Sequence, residues 1–181
     1  MIKTVNCIVS VVFVFLLLII PTSCHVYSFT GAATTAKNIS VSEFYNNTDL
    51  GPANLGQTFT NNLKNYLVQN SSLSLVPEDG ELQMEGEMTG FTLTPISPTP
   101  NNSTDPTQVQ TFTATSTRLT ITVKVTYTDT IDDALSFKDK SFSFYKDFPN
   151  DQNLTDVQDQ LIRDITNRII NDIFNASIAN W

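Results

Sequence analysis

The side chains able to do covalent chemistry are few. His25 is the one histidine, and Cys7 and Cys24 are the two cysteines, in a chain of 181 residues. No Ser/His/Asp or Cys/His set can be assembled from them, and a zinc site would lack its usual nitrogen and sulfur ligands. Carboxylates are plentiful, and a glycosidase needs only two of them across one bond. Glu81, Glu85 and Glu87, however, share the outward parity of one expected strand, and Asp156, Asp159, Asp164 and Asp172 decorate the polar side of an expected helix. Solvated faces account for both groups. Gly80, Gly86 and Gly90 are spaced for turns and close strand approach, not as a phosphate-cradling loop. The reading is of a protein that is not an enzyme and uses neither cofactor nor metal.

The chemistry that remains belongs to Cys24. Lys3 precedes an almost unbroken run of Ile, Val, Phe and Leu from Cys7 to Ile20, which ends in Pro21-Thr22-Ser23-Cys24. A membrane-spanning helix needs about 20 apolar residues, and this run is shorter, so it reads as the h-region of a signal peptide. Small residues directly before a cysteine suit a lipoprotein signal peptidase, although Pro21 stands where an aliphatic residue is usual. An unpaired thiol would be a liability in an oxidising compartment, and acylation of Cys24 removes it. The expected layout is a signal peptide over residues 1–23, a lipidated tether over 24–36 and one folded domain over 37–181, attached to a membrane by N-terminal acyl chains. His25, in place of Asp, favours sorting to the outer membrane.

After cleavage nine of the ten basic residues and all eighteen acidic ones remain, for a net charge of −9 with the amino terminus acylated. Nucleic acid and anionic membrane surfaces both call for a basic face, so neither is an expected general partner. Arg118, Lys124, Lys138, Lys140 and Lys146 are concentrated on two adjacent expected strands. Arg118 and Lys124 share the face turned away from the core, where they are candidate contacts for phosphate or sugar-acid groups. The same positions also read as ordinary strand-surface cations that discourage edge pairing.

These residues must be held by a recognisable set of elements. Alternation over Lys37–Tyr45 fits a half-buried strand. Leu55, Phe59, Leu63, Tyr66 and Leu67 lay one stripe along a helix over Asn54–Asn70. Leu73 and Leu75 make a short strand. From Glu81 to Thr94, Leu82, Met84 and Met88 share one parity and Phe91 and Leu93 the other, which predicts a β-bulge at Thr89-Gly90. Residues 95–114, rich in Pro, Thr and Asn, read as a long excursion between strands. Leu119, Ile121, Val123, Val125 and Tyr127 then alternate with polar residues, and Ser136–Phe148 is expected to pair antiparallel with that strand, with Phe142, Phe144 and Phe148 on one parity. A helix over Thr155–Ser177 closes the chain, opened by Thr155 and Gln158 in capping-box spacing. This order gives an α+β two-layer sandwich, two helices on one face of a mainly antiparallel sheet of about four strands.

On these residues the chain resembles the LptE-type lipopolysaccharide-assembly lipoproteins, in their Bacteroidetes form. The features that carry the likeness are Cys24 with Val26-Tyr27-Ser28-Phe29-Thr30-Gly31, the Thr58–Leu67 helix, Leu82-Gln83-Met84-Glu85-Gly86-Glu87-Met88-Thr89-Gly90-Phe91, Arg118 to Val125, and the closing Asp172-Ile173-Phe174-Asn175 with Asn180-Trp181. The pattern covers nearly all of the expected domain and departs at Pro21 and in Pro95–Pro106. It implies an outer-membrane lipoprotein on the periplasmic side that plugs and helps assemble an LptD-type β-barrel delivering lipopolysaccharide. The assignment of Arg118 and Lys124 comes from the residues and not from the family. An envelope lipoprotein that binds glycans or acts as a scaffold without a barrel is the alternative. Asp129-Thr130-Ile131 also matches a three-residue O-glycosylation motif of exported Bacteroidetes proteins.

Overall fold

The computed structural model describes residues 35–96 and 115–179. The expected signal peptide, Cys24, nearly all of the tether and the stretch 97–114 lie outside them, as do Asn180 and Trp181. The elements run β1 (Asn38–Val41), β2 (Tyr45–Asn46), α1 (Leu55–Asn70), β3 (Ser74–Val76), β4 (Leu82–Ile96), β5 (Ser116–Asp129), a short 3-10 turn (Asp133–Leu135), β6 (Phe137–Pro149) and α2 (Leu154–Ser177). The sheet order is β3-β1-β4-β5-β6, with β2 added to β4 beyond β1. Two helices on one mixed sheet is the α+β sandwich expected, with six strands in place of about four. The long β4-β5-β6 ladders are antiparallel. The short edge is parallel, since β1 is joined to β3 through α1 and a parallel pair needs such a crossover.

The apolar stripes meet as their spacing requires. Leu55, Phe59, Leu63 and Leu67 of α1 and Leu161, Ile165, Ile169 and Ile173 of α2 are buried against Leu82, Met84, Met88, Leu119, Ile121, Val123 and Val125 of the sheet. Across the helix seam the Tyr66 hydroxyl accepts from Asn171 Nδ2 at 2.8 Å, and its ring meets Phe174 edge-on at 5.4 Å. The bulge falls where the parity switch placed it: Met88 opposes Val123 and Gly90 opposes Thr122, leaving Thr89 as the extra residue.

Four expectations need correction. The strand over Lys37–Tyr45 is broken into β1 and β2, because Phe44 turns inward and is 1% exposed. Its ring fills the side-chain space of Gly86, where a Cβ would come within 2.5 Å of it, and its N–H donates to Thr60 Oγ1 at 2.9 Å. Gly56 lets α1 come this close, since a Cβ there would lie 2.1 Å from the Phe44 carbonyl oxygen. Second, α2 starts at Leu154 behind Asn153, which makes no side-chain cap, so Thr155 lies inside the helix and the capping box does not form. Leu154 packs against the core and draws the first turn upstream. Third, Phe144 is 37% exposed although Phe142 and Phe148 are buried. It lies on the edge strand, where the neighbouring Lys146 of the same parity reaches Asp164 of α2 and marks the rim of the helix layer. Fourth, β4 continues through Pro95 and Ile96, which the long excursion had included. A second bulge, not expected, lies between Val125 and Tyr127, where Lys138 and Asp139 stand opposite Thr126 alone. Asp139 takes φ 52° there, and the shift brings Phe137 in beside Tyr127, with centroids 5.5 Å apart.

The topology also gives the molecule two poles. Asn38, Ser74, Leu82, Asp129 and Phe137 lie at one end of the sheet, and Ile96, Ser116 and Pro149 at the other. α2 starts beside Pro149 and runs back, so the last described residues return to the pole where the domain begins. Fifteen residues of β4 set the poles roughly 50 Å apart at about 3.3 Å per residue.

Candidate functional site

Both helices lie on one face of the sheet, and among the described residues no helix packs on the opposite face. Along β5 it carries Arg118, Thr120, Thr122, Lys124, Thr126 and Thr128, the alternate set to the buried residues. Register puts Thr94, Thr92 and Glu87 beside them on β4 and Asp147, Tyr145, Ser143 and Ser141 on β6. The face is thus a lattice of hydroxyls with a few charges set into it. Thr122 and Ser143 share a hydrogen bond of 3.1 Å.

Both cations singled out from the sequence are on this face, and each is met by a carboxylate. Arg118 donates from Nε and Nη2 to the two oxygens of Asp147, at 2.7 and 2.9 Å. Lys124 Nζ donates to Glu87 Oε1 at 3.3 Å. The fork from Arg118 holds the Asp147 carboxyl below its ordinary pKa, first through the hydrogen bond and then through the charge. Asp147 raises Arg118 in turn, again chiefly through the hydrogen bond. Six residues of extended strand separate the two cations, roughly 20 Å. They form two separate ion pairs and cannot close on one small group together.

The other basic residues of these strands differ. Lys146 pairs with Asp164 of α2. The Lys140 ammonium stands 5.0 Å from the Phe137 ring centroid and 5.5 Å from that of Phe142. The sequence reading did not find Asp147, Tyr145 or Glu87 as partners. Their signal is the hairpin register: once Thr120 is set opposite Tyr145, Arg118 must face Asp147, an opposite-charge cross-strand pair.

A polar hollow of about 340 Å³ is lined by Ser40, Ser42, Glu78, Asp79, Gln83 and Glu85, among others. Among the described residues no group of three or more His, Cys, Asp or Glu is placed to hold a metal ion. None of their helices is long and apolar enough to cross a membrane.

A family model described as LptE, lipopolysaccharide-assembly, matches residues 36–177, which span every described strand and helix. No curated protein matches the chain in sequence. Among solved structures, it is similar to a hypothetical protein from Chlamydia trachomatis, at 10% identity and TM-score 0.49, covering 78% of this chain and 98% of that one. It is also similar to an uncharacterized lipoprotein B from Nitrosomonas europaea, at 10% identity and TM-score 0.45, covering 76% and 79%. A minor lipoprotein from Acinetobacter baumannii is similar at 14% identity and TM-score 0.42, covering 77% and 91%.

Proposed function

Because the chain belongs to the LptE family of lipopolysaccharide-assembly lipoproteins, we propose that it is anchored in the outer membrane through acyl chains on Cys24 and plugs an LptD-type β-barrel from the periplasmic side. The observation that carries the reading is the family match, because it takes in the whole sandwich. Three features support it. A plug must be rigid, and one continuous core joins both helices to the sheet. It must present a surface compatible with a water-filled lumen, and the bare sheet face is made of Thr and Ser with its charges paired. It must also be held near its barrel, and a tether raises the effective concentration of two partners that share one membrane. Cys24 stands twelve residues before Ala36, a reach of about 40 Å when extended.

The family is one of assembly factors and not of enzymes, and the role proposed here needs no catalytic set. Arg118 and Lys124 are its proposed contacts with lipopolysaccharide phosphates. A phosphate carries more charge than the single carboxylate that each cation meets in the free protein, and it can replace that carboxylate.

The test is purification of the tagged, full-length protein from outer membranes in mild detergent. Recovery of a large β-barrel at one-to-one stoichiometry is the expected result. Consistent recovery alone or with glycan would overturn the plug in favour of a glycan-binding or scaffold lipoprotein. A Cys24→Ala variant is expected to lose incorporation of labelled palmitate; retained label would overturn the anchor.

A further inference from the structure

Consecutive residues of a strand point to opposite sides of the sheet. Phe144 and Tyr145 of β6 nonetheless bring their rings together, 6.0 Å apart and only 21° from parallel. β6 is the last strand in the sheet order, so no further described strand lies beyond it to keep the two rings apart. The Arg118 guanidinium sits 3.7 Å from the centroid of Tyr145, and Asp147 holds it there with two hydrogen bonds. Arg168 of α2 stands 5.8 Å from the centroid of Phe144, and Asp172 pairs with it at 3.3 Å. One continuous row, Asp147, Arg118, Tyr145, Phe144, Arg168, Asp172, therefore crosses from the bare sheet face to the helix layer. The Lys146–Asp164 pair ties strand to helix beside it.

From this row we propose that the β6 edge is the principal contact of this chain with the protein wall of its barrel partner, an assignment that rests on the plug reading. Tyr145 and Phe144 are 47% and 37% exposed, and Tyr and Arg are the residues in which interface energy is concentrated. Their stacking and ion pairs set the rings in place before any partner arrives, which lowers the ordering cost of binding.

Charge decides between classes of occupant. The row has two guanidiniums and two carboxylates and is neutral, in a domain with a large negative excess. An anionic lipid surface is drawn by unmatched cations, and this row has none. A phosphate arriving at Arg118 must displace Asp147, whereas a protein wall can pack on the rings with every ion pair intact. A closed barrel has no free edge of its own, so the contact is made by side chains and not by extending the sheet.

The experiment uses the full-length lipidated protein and measures the barrel recovered with it. The double variant Phe144→Ser/Tyr145→Ser is expected to retain at least tenfold less barrel, Tyr145→Ser alone several-fold less, and Tyr145→Phe the wild-type amount. Tyr45→Ser, which removes an aromatic that is 76% exposed on the opposite edge, is expected to change nothing. Each variant is accepted only with a wild-type urea midpoint, and Tyr145→Ser, on a bare face, supplies the test if the double variant fails that criterion. Wild-type recovery by the two serine variants, or equal loss with Tyr45→Ser, would overturn the assignment. So would loss of lipopolysaccharide binding by the isolated double variant with barrel recovery intact. If the wild-type protein itself recovers no barrel, the plug reading has failed, and that is known before any variant is compared.

Discussion

Tyr127 is 1% exposed, and its hydroxyl has no hydrogen-bond partner among the described residues. A buried hydroxyl without a partner costs about 1–3 kcal/mol of lost hydration. Tyr127→Phe removes that group and keeps the ring beside Phe137. The small void it leaves offsets part of the gain, so net stabilisation of about 1 kcal/mol is expected, which is about 3 °C in Tm for a domain of this size. Urea unfolding reads it as a higher midpoint at unchanged slope. The same site gives a second, independent reading at high pH. Burial, reinforced by the negative charge of Asp129, pushes the Tyr127 pKa well above its ordinary value of 10.0. The unfolded chain therefore releases this proton from about pH 10 upward while the folded chain keeps it, and stability must fall as pH rises through that window. The variant lacks this loss, so its advantage over wild type should widen above about pH 10. A variant less stable than wild type at neutral pH, or one with the same alkaline slope, would refute the reasoning.

The remaining predictions address the core, the bare face and its ligand. Gly86→Ala forces a Cβ to within 2.3 Å of the Lys124 carbonyl oxygen and 2.5 Å of the Phe44 ring, and should cost about 3 kcal/mol in urea unfolding. Combined with Phe44→Ala it should cost less than the sum of the two, and strict additivity would sink the account of Phe44 as the occupant of that space. The Asp147 carboxyl, held down by Arg118, contributes stability above its ordinary pKa that is lost as pH falls through its folded value. Its carboxyl carbon, followed by NMR, should titrate below the usual Asp range and return to it in Arg118→Met. Lys124→Glu, away from the β6 row, should weaken lipopolysaccharide binding in a vesicle or micelle pull-down and leave barrel association in place, whereas Arg118→Glu, which also frees the Tyr145 ring, should weaken both; unchanged lipopolysaccharide binding would remove both residues from the contact.

Much of the architecture could be read from periodicity alone. The β4 parity switch forced a bulge because no single register buries both Met88 and Phe91. The helices were legible because their stripes are long, and β5 because its alternation is unbroken. What was not legible depended on residues far apart in the chain. The break at Phe44 is decided by Gly86 and Gly56, forty-two residues later in one case and twelve in the other. Parity grouped Phe144 with Phe142 and Phe148 without showing where the helix layer ends. The candidate face was half legible: Arg118 and Lys124 stood out by sign and parity, but their carboxylate partners appear only once the register is known. The bulge at Asp139 gave no sequence signal, since Asp is not the residue one first expects at positive φ.

The return of the chain to its starting pole also makes the molecule suited to circular permutation, which succeeds where the original ends are neighbours. Joining residue 179 to residue 35 through a short linker, opening the chain between Ile96 and Thr115 and placing residues 24–34 at the new start would move the proposed acyl anchor on Cys24 to the opposite pole. Such a permutant would keep every strand pairing yet hang from the membrane upside down, roughly 50 Å displaced at about 3.3 Å per residue of β4. It would separate what the sandwich does as a folded object from what it does by being held the right way up.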